Sequence, residues 1–288
     1  PSRRKFLLFL SSWGLTPSIS FAQKRENYVK RREVQAWIRE TAAMTGMPAS
    51  DIQAVLAKAR FSPLSARLMQ SPQRTSTAKP GNWYAHRKNF LASATIRAGR
   101  QFASRRKALL KELERDSGVP GEILCAVIGV ETRFGQLMGN VRTLDALVTL
   151  SFDYTRRAQY FQSELASFLT WCDKENINPL TVKGSFAGAV GLCQFMPSNI
   201  LKYGVDHDKD GSVRLRSSAE DALASVANYL MQEGWNASLP ITWPCRVESA
   251  AAKQLYTGGI VTNTTIEKAI IAGVEIEAPV SASPQTPV

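Results

Sequence analysis

One carboxylate in this chain sits where ordinary helix chemistry would not put it. The run PGEILCAVIGVETRFG is apolar almost to its end and then delivers Glu131. A helix C-terminus carries partial negative charge and favours Lys or Arg. On a helix, Leu124, Val127 and Ile128 lie seven, four and three residues before Glu131 and share its face. An apolar face withdraws water from a carboxyl and raises its pKa. A carboxyl that keeps its proton near neutral pH is a general acid of the kind glycosidic cleavage requires. The plainer reading is a solvent-exposed glutamate at a helix end, the commoner fate of a charged residue. Context has to decide between them.

About fifty residues on stands GSFAGAVGLCQFMPS, residues 184–198. Its glycines, alanines and serine permit close approach of backbone to a ligand or a neighbouring helix. Gln194 adds both a donor and an acceptor. A tightly packed helix junction explains the same small residues, and the two readings are compatible. Next comes DHDKDG, which sets Asp206, Asp208 and Asp210 at positions one, three and five of an EF-hand-like loop, with Gly211 at six. Ser212 offers a backbone carbonyl at seven, but position twelve is Ser217, which is no acid. The alternative is a solvated acidic turn. Only His86 and His207 are available for histidine chemistry, and no GxSxG, P-loop or GxGxxG run occurs.

The elements that must position these groups are mostly helical. From Tyr28 to about Asp116 the segments VQAWIRE, DIQAVLAKA and NFLASATIRAGRQFASRRKALLKELERD repeat apolar residues at three and four spacings. Ser50 is the expected N-cap of the second helix. SPQRTSTAKPGNW reads as a surface connection. The basic face of residues 97–115 reads as solvated, offset by Glu112, Glu114 and Asp116. A second helical block starts at Pro120, suited to a first helical position, and closes with SAEDALASVANYLMQEGW. After Trp235, prolines, paired glycines and TNTT suggest short strands and turns, with a small helix near IEKAIIAG. The divisions expected are an export signal over 1–22, a helical N-terminal domain over 23–116 and a catalytic core over 117–235 containing the loop 206–221. A small β-rich part over 236–275 and a disordered tail over 276–288 complete them.

Charge and cysteines bound the partners. The net charge is +12, which suits an anionic partner. The opening PSRRKFLLFLSSWGLTPSISFA has a basic start, a short apolar stretch and a small-residue cleavage pattern. It therefore reads as a Sec or twin-arginine signal for a periplasmic protein, with association to the envelope as an option. No further segment approaches membrane length, and no lipid-anchor cysteine follows the signal. Nucleic-acid binding would account for the charge but not for the signal or Glu131. Export permits disulfides, yet Cys125, Cys172, Cys193 and Cys245 are widely spaced, and buried thiols acting as small apolar residues are the favoured reading.

E-T-R-F-G followed by G-A-x-G-x-x-Q-F-M-P resembles the lysozyme-like muramidase superfamily, and in detail the lytic murein transglycosylase B family. The likeness runs through GVPGEILCAVIGVETRFGQLMGNVRTLDALVTLSF, TRRAQYF, KGSFAGAVGLCQFMPS and SVANYL, in that order over residues 117–235. It implies a mainly α fold: a lysozyme-like α+β catalytic core, a helical N-terminal domain and a small β-rich C-terminal part. It implies Glu131 as the single catalytic acid/base. Ser185 and Gln194 would hydrogen-bond the sugar, and Arg156, Arg157 and Tyr160 would line the cleft and meet peptide or glycan. Phe195 and Met196 would form part of its apolar wall. Phe134, Tyr154 and Phe186 are stacking candidates that serve equally well as core.

The activity implied is cleavage of the MurNAc–GlcNAc bond of peptidoglycan to 1,6-anhydromuropeptides, without water. Asp145 and Asp153 follow the helix, but the resemblance gives neither a catalytic role. In the family a longer EF-hand-like loop closes on a later acid, here Glu220 or Asp221. That implies a structural Ca2+ and no cofactor for catalysis. The expected partners are peptidoglycan glycan strands and proteins of cell-wall synthesis or division, with no nucleic acid, for a monomeric chain. The family's R-Y-N segment is not found, and the sequence reads EAPVSASPQTPV instead. The expectation is a clipped or shorter chain, which keeps a catalytically incomplete wall-binding protein as an alternative beside a hydrolytic muramidase.

Overall fold

The computed structural model describes residues 27–70, 83–255, 264–277 and 282–286. The export signal expected over 1–22, and nearly all of the connection SPQRTSTAKPGNW, lie outside them. Helices make up most of what is described. They are α1 (Arg32–Thr45), α2 (Ala49–Leu56), α3 (Pro63–Met69), α4 (Trp83–Lys88), α5 (Ser93–Arg105), α6 (Lys107–Ser117) and α7 (Gly121–Thr132). The short strand β1 (Val141–Arg142) leads into α8 (Thr143–Phe152), followed by α9 (Ala158–Lys174), β2 (Lys183–Gly184), α10 (Pro197–Tyr203) and α11 (Ala219–Gln232). Beyond them come β3 (Cys245–Val247), α12 (Ala250–Gln254), α13 (Ile266–Ile271) and β4 (Val274–Ile276). β1 pairs antiparallel with β2, and β3 with β4.

α8 is the centre. TLDALVTLSF is apolar nearly all round, and such a helix is stable only when enclosed. Leu144, Ala146, Leu147, Val148 and Leu150 are fully buried, and α9 packs along it. The N-terminal helices are tied to both ends of α8 by its acids. At one end Asp145 accepts from the backbone N–H of Arg60 at 2.8 Å and from Arg142 at 2.5 Å. Just past the other end, Asp153 accepts from the Tyr28 hydroxyl at 2.7 Å and Arg31 at 2.9 Å. Between them Thr149 Oγ1 accepts from the Ser62 backbone N–H at 2.8 Å.

The long basic stretch read as one helical pattern is two helices. Arg106 leaves the helical region at φ −121°, ψ 23°, and its guanidinium lies 4.1 Å from the centre of the Phe102 ring. The break re-aims the chain so that α5 packs on α7, while α6 reaches both α7 and α11. Ser50 is not a cap: α2 starts at Ala49 after Pro48, and the Ser50 hydroxyl turns to Asp51. Pro48, already extended at φ −59°, ψ 131°, sets the helix start two residues earlier. Ser218, in contrast, accepts from the Asp221 backbone N–H and caps α11.

The last elements join the strand pair β3–β4 with α12 and α13. Residues 282–286, expected within a disordered tail, return to α13. The backbone N–H groups of Ile266 and Glu267 donate to the carbonyls of Thr286 and Pro284. Those are orphan donors of a helix N-terminus, and the returning chain satisfies them. All four cysteines are unpaired; Cys125, Cys172 and Cys193 are buried and Cys245 is exposed on β3. No described helix is long and apolar enough to cross a membrane.

Candidate active site

α7 carries Glu131 to the edge of the core. Leu124 and Ile128 on its face are fully buried, whereas Val127 is half-buried and Glu131 itself is exposed. The face that begins as core therefore opens at Glu131. Even there, partial loss of water raises the carboxyl above the ordinary glutamate pKa, in the direction the apolar run suggests.

The chain then turns sharply. Arg133 and Phe134 both adopt left-handed backbone, at φ 50° and 58°, a conformation costing on the order of 1–3 kcal/mol for a non-glycine residue. The Phe134 ring offsets this by wedging between α5 and α7. A Cβ on either Gly99 or Gly129 would come within 2.7 Å of it. Phe134, a stacking candidate from sequence, is thus a packing residue that fixes the end of the Glu131 helix. Thr132, fully buried, has its hydroxyl 2.9 Å from the Leu192 carbonyl and accepts from the Gly135 N–H at 3.0 Å. The residue beside Glu131 is thereby bound to the turn that bears Gln194. Cys193 in the same turn is pushed up to about 12, by burial first and with the Glu131 carboxylate opposing its ionisation.

Residues 135–141 run on against β2. Gly139, at φ 77°, has room for no side chain, since a Cβ would lie 2.1 Å from the Gly184 carbonyl oxygen. This approach closes a cavity of about 420 Å³ that is lined by Ser185, Phe186, Gln194, Gln136, Leu64 and Arg216 among others. Ser185 Oγ accepts from the N–H groups of Ala187 and Ala189, so its own proton is left to donate outward. Gln194, at φ 51°, donates through Nε2 to the Gly191 carbonyl at 2.8 Å and the Met138 carbonyl at 3.4 Å. Among the described residues nothing donates to its Oε1, which remains an acceptor. Arg216 spans the rim, donating to the Gly139 and Lys183 carbonyls. Nothing local in its sequence marks that role, because both partners are carbonyls far away in the chain.

Other expected site residues lie elsewhere. Phe195 is 6% exposed and packs on Tyr203 and Tyr229, so it is core and not cleft wall. It faces inward because its backbone pairs with Val190 across the tight 190–195 turn. Met196 is half-buried at the start of α10. Tyr154 is buried against Phe161. Arg156 and Arg157 are exposed on a single turn before α9, Arg157 lying 4.2 Å from the Tyr160 ring centre. Neither arginine nor Tyr160 lines the cavity that holds Ser185 and Gln194. Glu164 is an unforeseen tie: it is buried and accepts from the Ser198 N–H and hydroxyl, holding the start of α10 to α9.

In the acidic loop the carboxylate oxygens of Asp206, Asp208 and Asp210 lie within 4.8 Å of one another. Lys209 and Gly211 have positive φ, as so tight a loop demands. Glu220 and Asp221 are not in this group. Asp221 is fully buried and accepts from the backbone N–H groups of His207 at 3.0 Å and Arg214 at 2.8 Å. It closes the loop through its backbone.

Glu131 does not itself line the cavity that holds Ser185 and Gln194; it is joined to it through Thr132 and the turn that bears Gln194. A raised carboxyl so placed, on a helical core with minimal sheet, fits the lysozyme-like lytic transglycosylases. The structure is similar to the catenated lytic transglycosylase SltB1 from Pseudomonas aeruginosa, with a TM-score of 0.84, 30% identity, and 89% of this chain and 83% of that one covered. It is also similar to the Escherichia coli lytic transglycosylase Slt35 in complex with calcium, with a TM-score of 0.80, 35% identity, and 91% and 80% covered. In sequence it is 38% identical over 226 residues to the membrane-bound lytic murein transglycosylase B of Escherichia coli K12. That match takes in 77% of this chain and 62% of the relative, so the chain spans about three fifths of that protein's length. The transglycosylase SLT domain profile matches residues 30–285, and the chain belongs to this family.

Proposed function

We propose that the protein is a lytic transglycosylase that cleaves the MurNAc–GlcNAc bond of peptidoglycan and leaves a 1,6-anhydro end. The observation carrying this reading is the raised, solvent-reachable carboxyl of Glu131 at the end of a largely buried apolar helix face. Protonated Glu131 gives its proton to the bridging oxygen as the bond from that oxygen to muramyl C1 breaks, and GlcNAc departs as an alcohol. The substrate's N-acetyl carbonyl supports the cationic C1 in place of a second protein carboxylate. That substitution suits a chain in which Asp145 and Asp153 are held in structural ties. The Glu131 carboxylate then takes the proton of the muramyl 6-hydroxyl, whose oxygen bonds to C1. Glu131 ends protonated, and no water is consumed. Ser185 as donor and Gln194 Oε1 as acceptor hold the sugar, with Phe186 as the apolar wall. Substrate in the envelope outside the cytoplasm agrees with the signal-like opening.

Mass analysis of products from purified murein tests the reading. Products one water lighter than hydrolytic muropeptides, and lacking a reducing end, are expected. Reducing ends throughout would make the protein a hydrolytic muramidase, and no soluble product would make it a wall binder.

Asp206, Asp208, Asp210 and the Ser212 carbonyl form a hard-oxygen set suited to Ca2+. The calcium complex of the similar Slt35 supports this choice. The ion's contribution would be to neutralise three facing carboxylates and fasten the loop before α11. Adding Ca2+ at a hundredfold excess over its Kd should raise unfolding stability by about 3 kcal/mol, read as a higher Tm. A Tm unmoved by Ca2+ or by chelator would remove the ion.

A further inference from the structure

A second recess shares Gln136 with the Ser185–Gln194 cavity. Its volume is about 350 Å³, and its other lining residues are Lys88, Asn89, Ala92, Ala94, Thr95 and Arg133. Two cations and three polar side chains face it, and no acid does. Neither Lys88 nor Arg133 has an ion-pair partner among the described residues, and both are exposed. The first turn of α5 contributes Ala94 and Thr95, and that helix has no side-chain cap on its free N–H groups. Arg133 is held there by the left-handed turn that follows Glu131. Every polar side chain facing the recess can donate or is positive, and Gln136, Asn89 and Thr95 can also accept.

We propose that this recess is a carboxylate-binding subsite for the peptide stem of the murein strand, with Lys88 and Arg133 as its specificity-determining residues. The inference rests on the transglycosylase reading and extends it. A stem hangs from the muramyl ring, and its free carboxylates are the anionic groups nearest the bond that breaks. A strand seated in the Ser185–Gln194 cavity has this recess beside it, the two sharing Gln136, within reach of such an acid. Arg supplies a planar fork for a carboxylate, and Lys adds a point charge. Binding here lowers KM for stem-bearing glycan and plays no part in proton transfer at Glu131.

The test compares cleavage of stem-bearing glycan with cleavage of the same strands after their peptides are removed by an amidase. The wild type is expected to prefer the stem-bearing strand. Lys88→Glu and Arg133→Gln should each reduce that preference in kcat/KM about tenfold, the usual worth of a hydrogen bond to a charged group. Arg133→Lys should retain part of it, and stems with amidated carboxylates should lose it in the wild type. Equal loss on both substrates, or an unchanged preference in both variants, overturns the proposal. A wild type that releases no anhydro product from either substrate fails the transglycosylase reading instead. Calorimetry with a soluble muramyl peptide then decides the subsite: binding weakened by Lys88→Glu upholds it, and binding that is absent or unaffected overturns it.

Discussion

Glu131→Gln is expected to lower the rate of anhydromuropeptide release by roughly 10²–10⁴-fold, the usual contribution of a positioned general acid and base. KM should change little, because the amide keeps the shape and polarity of the side chain while losing the transferable proton. The fold should not suffer. Burial raises the carboxyl pKa, so the ionised form is the disfavoured one in the folded chain. Glu131 therefore adds to stability at low pH and loses that contribution as pH rises through its folded pKa. Gln removes the ionisation, and Tm at neutral pH should hold or rise slightly. The same sign governs the wild-type rate. Protonated Glu131 is the reactive form, so kcat/KM should fall with rising pH through a pKa above that of free glutamate. A pH profile whose falling limb sits at the free glutamate value, or a Gln variant that digests murein at the wild-type rate, would take Glu131 out of the centre.

Asp221→Ala should be the most damaging single change in the acidic loop. The Asp221 carboxylate is fully buried and receives the backbone N–H groups of His207 and Arg214 from opposite ends of that loop. Removing it leaves two part-buried backbone donors without their acceptor, at a cost of roughly 2 kcal/mol. Denaturant unfolding in the presence of chelator isolates this effect from any bound cation. Asp221→Asn keeps one carbonyl acceptor and should recover part of the loss. The exposed Asp208→Asn, which spares these backbone bonds, should cost far less under chelator. Equal stability of the Ala variant and the wild type would mean that the loop is held by its three outer aspartates.

These two residues illustrate different degrees of legibility. Glu131 is readable because the departure is local: an apolar helical period ending in an acid. The alternating aspartates are readable for the same reason, as their spacing in the chain is nearly their spacing in space. Asp221 is harder. The family resemblance offers it, beside Glu220, as a closing acid, but whether it faces a cation or backbone N–H groups depends on how α11 docks. Phe195 shows the limit. As an aromatic beside Gln194 it resembles a cleft residue, and only the 190–195 turn, which pairs Val190 with Phe195, sends it into the core with Tyr203 and Tyr229.

The amino-acid sequence by itself determined the helical class, the apolar helix that ends in Glu131, the small-residue segment with Ser185 and Gln194, and the acidic loop. Each depends on periodicity or on neighbours a few residues apart. Tertiary structure alone decided that Asp145 and Asp153 are ties, that Phe134 is a wedge between two glycines, and that Lys88 and Arg133 share a recess with the start of α5. A side chain's role in those cases is set by which distant backbone or ring it meets. Burial, charge and hydrogen bonding act through space, and local sequence does not encode the distance between segments that folding brings together.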